Sequence, residues 1–93
     1  MDQVRLFAKI YGDVHGVGFR AFARAQAQRL GVCGYARNAW DGTVEVTAEG
    51  DRLTLETFLD ILRQGPRSAR VSQVDANWRQ ASGEFRGFGV RFL

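Results

Sequence analysis

A chain of 93 residues is the size of one domain. It hides roughly 60–70% of its unfolded surface, so a single core suffices without a metal or disulfide staple. Hydrophobic residues are 45% and charged residues 25%, an ordinary globular balance; no run is long or apolar enough to span a membrane, and Arg5 and Lys9 interrupt Val4–Tyr11, so no signal peptide is expected. One cysteine, Cys33, excludes an intramolecular disulfide and favours a reducing, cytoplasmic setting. The net charge of +3 is spread over scattered arginines with no dense run, which gives a mild pull on anions and does not signal a nucleic-acid patch.

Val4–Tyr11 alternates like a half-buried strand. The next stretch, Gly12-Asp13-Val14-His15-Gly16-Val17-Gly18-Phe19-Arg20, carries three glycines between that strand and a helical pattern, with an arginine at the helix mouth. Such a loop suits a small anion. Glycine lets backbone N–H groups approach phosphate oxygens, a helix N-terminus adds unpaired donors, and arginine adds a planar fork. The same glycines also serve purely steric ends in many strand-to-helix loops.

From Phe19 the apolar period becomes three to four: Phe19, Phe22, Ala23, Ala27 and Leu30 form one helical stripe, and Gly31 is the expected stop. Val32–Ala39 reads as a second strand, Asp41-Gly42 as a hairpin turn, and Thr43–Ala48 as a third strand rich in β-branched residues. Asp51 can cap a second helix whose buried stripe is Leu55, Phe58, Leu59 and Leu62, ended by Gly65-Pro66. Ala69–Trp78 is a fourth strand, and the alternation of Phe88, Val90 and Phe92 gives a short final one. The order is β-α-β-β-α-β plus a C-terminal strand. Two helices with one apolar face each must cover one face of the sheet. The expected fold class is therefore α+β, a ferredoxin-like two-layer sandwich with a mainly antiparallel sheet, as one domain over residues 1–93.

The inventory of reactive groups is spare. With one histidine, His15, and one cysteine, there is no ligand cluster of zinc-like spacing and no nucleophile–base set. The loop lacks the Lys-Ser/Thr ending of a nucleotide P-loop. No metal and no cofactor are expected, and any enzyme here works by binding and positioning. Asn38, at a strand end before a tight turn, reads either as turn chemistry or as an amide holding a water or substrate oxygen. In the expected fold the Arg20 loop and Asn38 lie close together.

Gly12-x-Val14-x-Gly16-Val17-Gly18-Phe19-Arg20, together with Gly34-Tyr35-Ala36-Arg37-Asn38-x-x-x-Gly42-x-Val44 and Gly50, closely resembles the two signatures of the acylphosphatases. The likeness runs over nearly the whole chain and includes Glu49-Gly50 and Gly65-Pro66. It departs from the commonest family pattern at Asp13, where arginine is frequent, and at His15, where glutamine is frequent. The resemblance implies the sandwich fold and hydrolysis of acyl phosphates to a carboxylate and inorganic phosphate. It implies Arg20 as the phosphate-binding arginine and Asn38 as the residue that orients water.

The chemistry suits so spare a site. Carboxylic acids have pKa values of about 4, so the leaving group needs no proton. What remains is to hold the phosphoryl oxygens and place a water in line. The expected cradle is the backbone N–H groups of His15, Gly16, Val17, Gly18, Phe19 and Arg20. The expected partners are a small acyl phosphate and inorganic phosphate as product and inhibitor, bound by a cytoplasmic monomer with no nucleic acid or membrane. The rival readings are a catalytically silent anion-binding regulatory domain and an RNA-binding domain of the same fold. The second needs exposed aromatics on the middle strands, and Thr43–Ala48 has none.

Overall fold

The alternation that opens the sequence is strand β1 (Gln3–Asp13) in the computed structural model, which describes residues 2–92. Leu6, Ala8 and Ile10 are fully buried, while the residues between them face the other way. Helix α1 (Phe19–Leu30) follows, then β2 (Cys33–Asn38), β3 (Val44–Asp51), helix α2 (Arg52–Gln64), β4 (Arg70–Gln80) and β5 (Phe88–Arg91). The sheet order is β4-β1-β3-β2-β5. The pairs β1–β3, β1–β4 and β2–β3 are antiparallel, and β2–β5 is parallel. This is the ferredoxin-like α+β sandwich with one strand added at the β2 edge.

One sheet face carries the core. Ala36 of β2 and Val44, Val46 and Ala48 of β3 join Leu6, Ala8 and Ile10, all at 0% exposure. The helices close over them with Phe19, Ala23 and Ala27 from α1 and Leu55, Phe58, Leu59 and Leu62 from α2. Burying a side chain of Phe or Leu size is worth about 1.5–3 kcal/mol, so these stripes dominate the fold's stability. Phe88 of β5 completes the core by meeting Phe58 edge to face at 5.8 Å. Asp51 caps α2 by accepting a hydrogen bond from the Thr54 N–H, and Gly31 ends α1 in a left-handed conformation.

The opposite face mixes Phe7, Tyr11 and Tyr35 with charged residues and is crossed by residues 81–87, which join β4 to β5. Phe85 packs on the Tyr35 ring at 5.9 Å and beneath the Arg5 guanidinium at 5.2 Å. Glu49 lies under this segment at 2% exposure. Its carboxylate accepts hydrogen bonds from Arg5 Nε (2.7 Å), Ser82 N–H (2.9 Å), Ser82 hydroxyl (3.1 Å) and Gly83 N–H (3.0 Å). Burial opposes ionisation of Glu49, but the Ser82 and Gly83 N–H groups, with Arg5 and the Ser82 hydroxyl, outweigh it and hold the carboxyl at about 2, below its ordinary 4.5.

Several boundaries differ from the sequence reading. β1 continues through a register shift between Tyr11 and Gly12, so that Gly12 and Asp13 still pair with Val71 and Arg70. The Asp41-Gly42 signal does mark a turn, but the connection spans residues 39–43 and Thr43 lies outside the strand. Its cause is local: Asp41 Oδ1 accepts from the Thr43 N–H and hydroxyl, at 3.1 and 2.6 Å, and the Thr43 carbonyl accepts from the Ala39 N–H at 2.8 Å. Phe22 and Leu30 are half-buried rather than core, because Ala23 and Ala27 hold the centre of the α1 stripe. Cys33 is likewise half-buried, with its Sγ 3.5 Å from the Glu49 carbonyl. Phe92 falls past the end of β5 and is 80% exposed.

Candidate active site

The registers fix two distinct ends of the sheet. Asp13 pairs with Arg70, Ile10 and Asn38 both pair with Val44, and Arg37 pairs with Arg91, which gathers the loop after β1, the end of β2, the start of β4 and the end of β5. The α1 N-terminus opens at this same end. Val14, at 1% exposure, anchors the loop in the core. Beyond it, Gly16 and Gly18 take φ values of 71° and 77° with open space where a Cβ would stand. Their backbone conformation, and not crowding, is what demands glycine.

Gly18 is the N-cap of α1 and offers no side-chain acceptor, and the first turn contains no acidic residue. The N–H groups of residues 15–20 donate to no other described residue. The positive pole of the helix is therefore left uncompensated. Two braces hold the loop from outside. The Ser68 hydroxyl donates to the Val17 carbonyl at 2.8 Å, and His15 Nε2 meets the Thr43 carbonyl at 2.8 Å. A carbonyl only accepts, so Nε2 is the donor in that bond.

Arg20 sits in the first turn of α1 and is half-buried. Its Nη1 donates to the Arg91 carbonyl at 3.0 Å, and its guanidinium carbon lies 4.6 Å from the centre of the Phe92 ring. These contacts fix the side chain against the end of β5, and its other N–H groups donate to no described residue. Asn38 ends β2 and is half-buried, in register with Val44. The connection that follows it is stiffened from Asp41, whose Oδ2 lies 2.9 Å from Lys9 Nζ. The Thr43 hydroxyl and the Lys9 ammonium hold the Asp41 carboxyl well below the usual carboxylate range.

Arg20 and Asn38 line one cavity of about 390 Å³, together with Gly16, Gly18 and Phe19 of the loop. His15 and Val17 belong to the loop but do not line the cavity; the His15 side chain and the Val17 carbonyl carry the braces instead. Sequence reasoning missed Arg24, Val90, Phe92 and the Arg91 carbonyl. The period of three to four on α1 does place Arg24 one turn beyond Arg20, which was a usable signal. A backbone carbonyl leaves no signal of its own. Trp40, 94% exposed, neither covers the core nor lines the cavity. Among the described residues no group of His, Cys, Asp and Glu could hold a metal ion, and no helix is long and apolar enough to cross a membrane.

Residues 6–90 match the family model for acylphosphatase. The chain belongs to the acylphosphatase family. It is 52% identical over 86 residues to the acylphosphatase of Thermus thermophilus, covering 92% of this chain and 97% of the relative. It is 48% identical over 87 residues to the acylphosphatase of Salinibacter ruber, covering 94% and 92%. The crystal structure of acylphosphatase from Bacillus subtilis superposes with a TM-score of 0.91 at 26% identity, over 95% of this chain and 98% of that one. The chain is an enzyme of the acylphosphatase family, and the loop of residues 15–20, Arg20 and Asn38 lie within the span that the family model covers.

Proposed function

We propose that this chain hydrolyses acyl phosphates, with the N–H groups of His15, Gly16, Val17, Gly18, Phe19 and Arg20 cradling the phosphoryl oxygens. The reading is supported by one cavity lined by Gly16, Gly18, Phe19, Arg20 and Asn38, beside loop N–H groups that donate to no described residue and an Arg20 side chain braced on the Arg91 carbonyl. Fixed N–H dipoles and a guanidinium stabilise the charge that spreads over the phosphoryl oxygens in transfer, and they cost no reorganisation when it develops.

In this mechanism Arg20 grips two phosphoryl oxygens and the Asn38 side chain holds a water in line with the bond that breaks. The water oxygen bonds to phosphorus, the bond from phosphorus to the carboxyl oxygen breaks, and its electron pair leaves with the carboxylate. The proton of the water passes to a phosphoryl oxygen of the substrate, since the cavity lining contains no histidine or carboxylate to take it. The products are a carboxylate and inorganic phosphate, which inhibits by occupying the same cradle. All the groups come from one chain, so a monomer suffices.

Benzoyl phosphate hydrolysis in the presence of EDTA tests the reading. The wild type turns over, and Asn38→Ala loses about 10²–10³ in kcat while the inhibition constant of inorganic phosphate stays within about twofold. A parent rate in Asn38→Ala overturns the water-holding role. An inactive wild type that still binds phosphate establishes the silent regulatory domain instead.

A further inference from the structure

Arg24 is the second guanidinium lining the proposed catalytic cavity, and no acidic residue lines it. It lies four residues after Arg20 on α1, so the two side chains rise from the same helix face with roots ~6 Å apart along the axis. Like charges at this spacing repel. Elsewhere on the helices arginines have local partners: Arg29 bonds to Gln26, Arg52 to Glu56 and Arg63 to Asp60. The positions three and four away from Arg24 are Arg20, Ala21, Ala27 and Gln28, none of them acidic. Arg24 is exposed and forms no ion pair with a described residue. The cavity also has an apolar wall from Val14, Val90 and Phe92. It therefore offers one cation for a phosphoryl group, an apolar surface for the acyl body and a second cation still unspent.

We propose that Arg24 determines specificity by binding a carboxylate at the far end of the acyl group, so that the favoured substrates are the monophosphorylated forms of dicarboxylic acids. This rests on the assignment of the cavity as the site of acyl phosphate hydrolysis. The guanidinium fork matches a carboxylate in two parallel hydrogen bonds, which a neutral amide of the same shape cannot match. Tight salt dependence accompanies such a pair when it is exposed.

Three probes test it: benzoyl phosphate, meta-carboxybenzoyl phosphate and its neutral isostere meta-carbamoylbenzoyl phosphate. In the wild type, KM for the carboxy substrate is below that for the carbamoyl substrate by roughly three- to tenfold at low salt. In Arg24→Gln this ratio collapses to about one, and in Arg24→Glu it inverts. Rising ionic strength erodes the wild-type ratio. Equal KM shifts for the carboxy and carbamoyl substrates in Arg24→Gln overturn the proposal, because Arg24 then attracts every anion alike. An enzyme that hydrolyses none of the three refutes the underlying assignment, and calorimetric titration with the methylene phosphonate analogues of the carboxy and carbamoyl probes then reads the same Arg24 contrast as a ratio of affinities.

Discussion

The two ends of the sheet use polar groups in opposite ways. At the end where β4 leads into β5, the buried Glu49 carboxylate accepts from Arg5, from two backbone N–H groups and from the Ser82 hydroxyl. At the other end, the N–H groups of residues 15–20 have no partner among the described residues and the helix pole is bare. The first arrangement turns electrostatics inward and fastens a crossing segment to the sheet. The second leaves electrostatics pointing out, where a bound anion can meet it. On the proposed assignment, stability and activity fall at separate ends, and substitutions at each end should register in different measurements.

The largest effect belongs to the open end. Arg20→Ala lowers kcat/KM for benzoyl phosphate by at least 10²–10³, about 3–4 kcal/mol of transition-state binding, and weakens inhibition by phosphate. Steady-state kinetics with and without phosphate check it, and a wild-type kcat/KM would erase the division between the ends.

At the closed end, Glu49→Gln costs about 2–3 kcal/mol of stability at neutral pH, because three N–H groups and a hydroxyl lose a charged acceptor. Its pH signature is specific. The folded-state pKa of Glu49 is lowered from 4.5 to about 2, so its stabilising contribution is complete above the unfolded value and fades as pH falls toward 2. Thermal melts from neutral to acid pH should show the wild type and Glu49→Gln converging across that window. Parallel curves would show that the Glu49 charge carries none of the difference. Activity per folded molecule of the variant stays near the parent's.

A smaller effect sharpens the boundary. His15→Ala removes the bond to the Thr43 carbonyl beside Asn38 and lowers kcat roughly threefold to tenfold with KM little changed. His15→Gln, which keeps a donor at that position, recovers most of the loss. A shift confined to Tm would make His15 a brace of the fold alone. Smallest of all, Trp40→Ala stays within about 0.5 kcal/mol in stability, since a side chain 94% exposed has little packing to lose.

The difference between the ends also decides what could be read from the sequence. The core was legible because period carries it: Leu6, Ala8 and Ile10 alternate, and Leu55, Phe58, Leu59 and Leu62 repeat at helical spacing. The open end was legible in part: glycines and an arginine at a helix mouth suggest an anion loop, whereas Asn38 drew its expected role from the resemblance to the acylphosphatase signatures. The closed end was not. A glutamate on a strand reads as solvent-facing, and only the crossing of residues 81–87, more than thirty positions later, buries Glu49. The His15–Thr43 brace was hidden for the same reason: one partner is a main-chain oxygen whose direction depends on how Asp41 draws in Thr43.

The bond from Arg20 to the Arg91 carbonyl joins residues 71 apart in the chain. Closing a contact over that separation costs loop entropy, which the surrounding sheet pairings must offset. The cavity has its fixed guanidinium only while β5 is docked beside β2, so on the proposed assignment a substitution that loosens β5 from the sheet would reach turnover through the Arg20 brace.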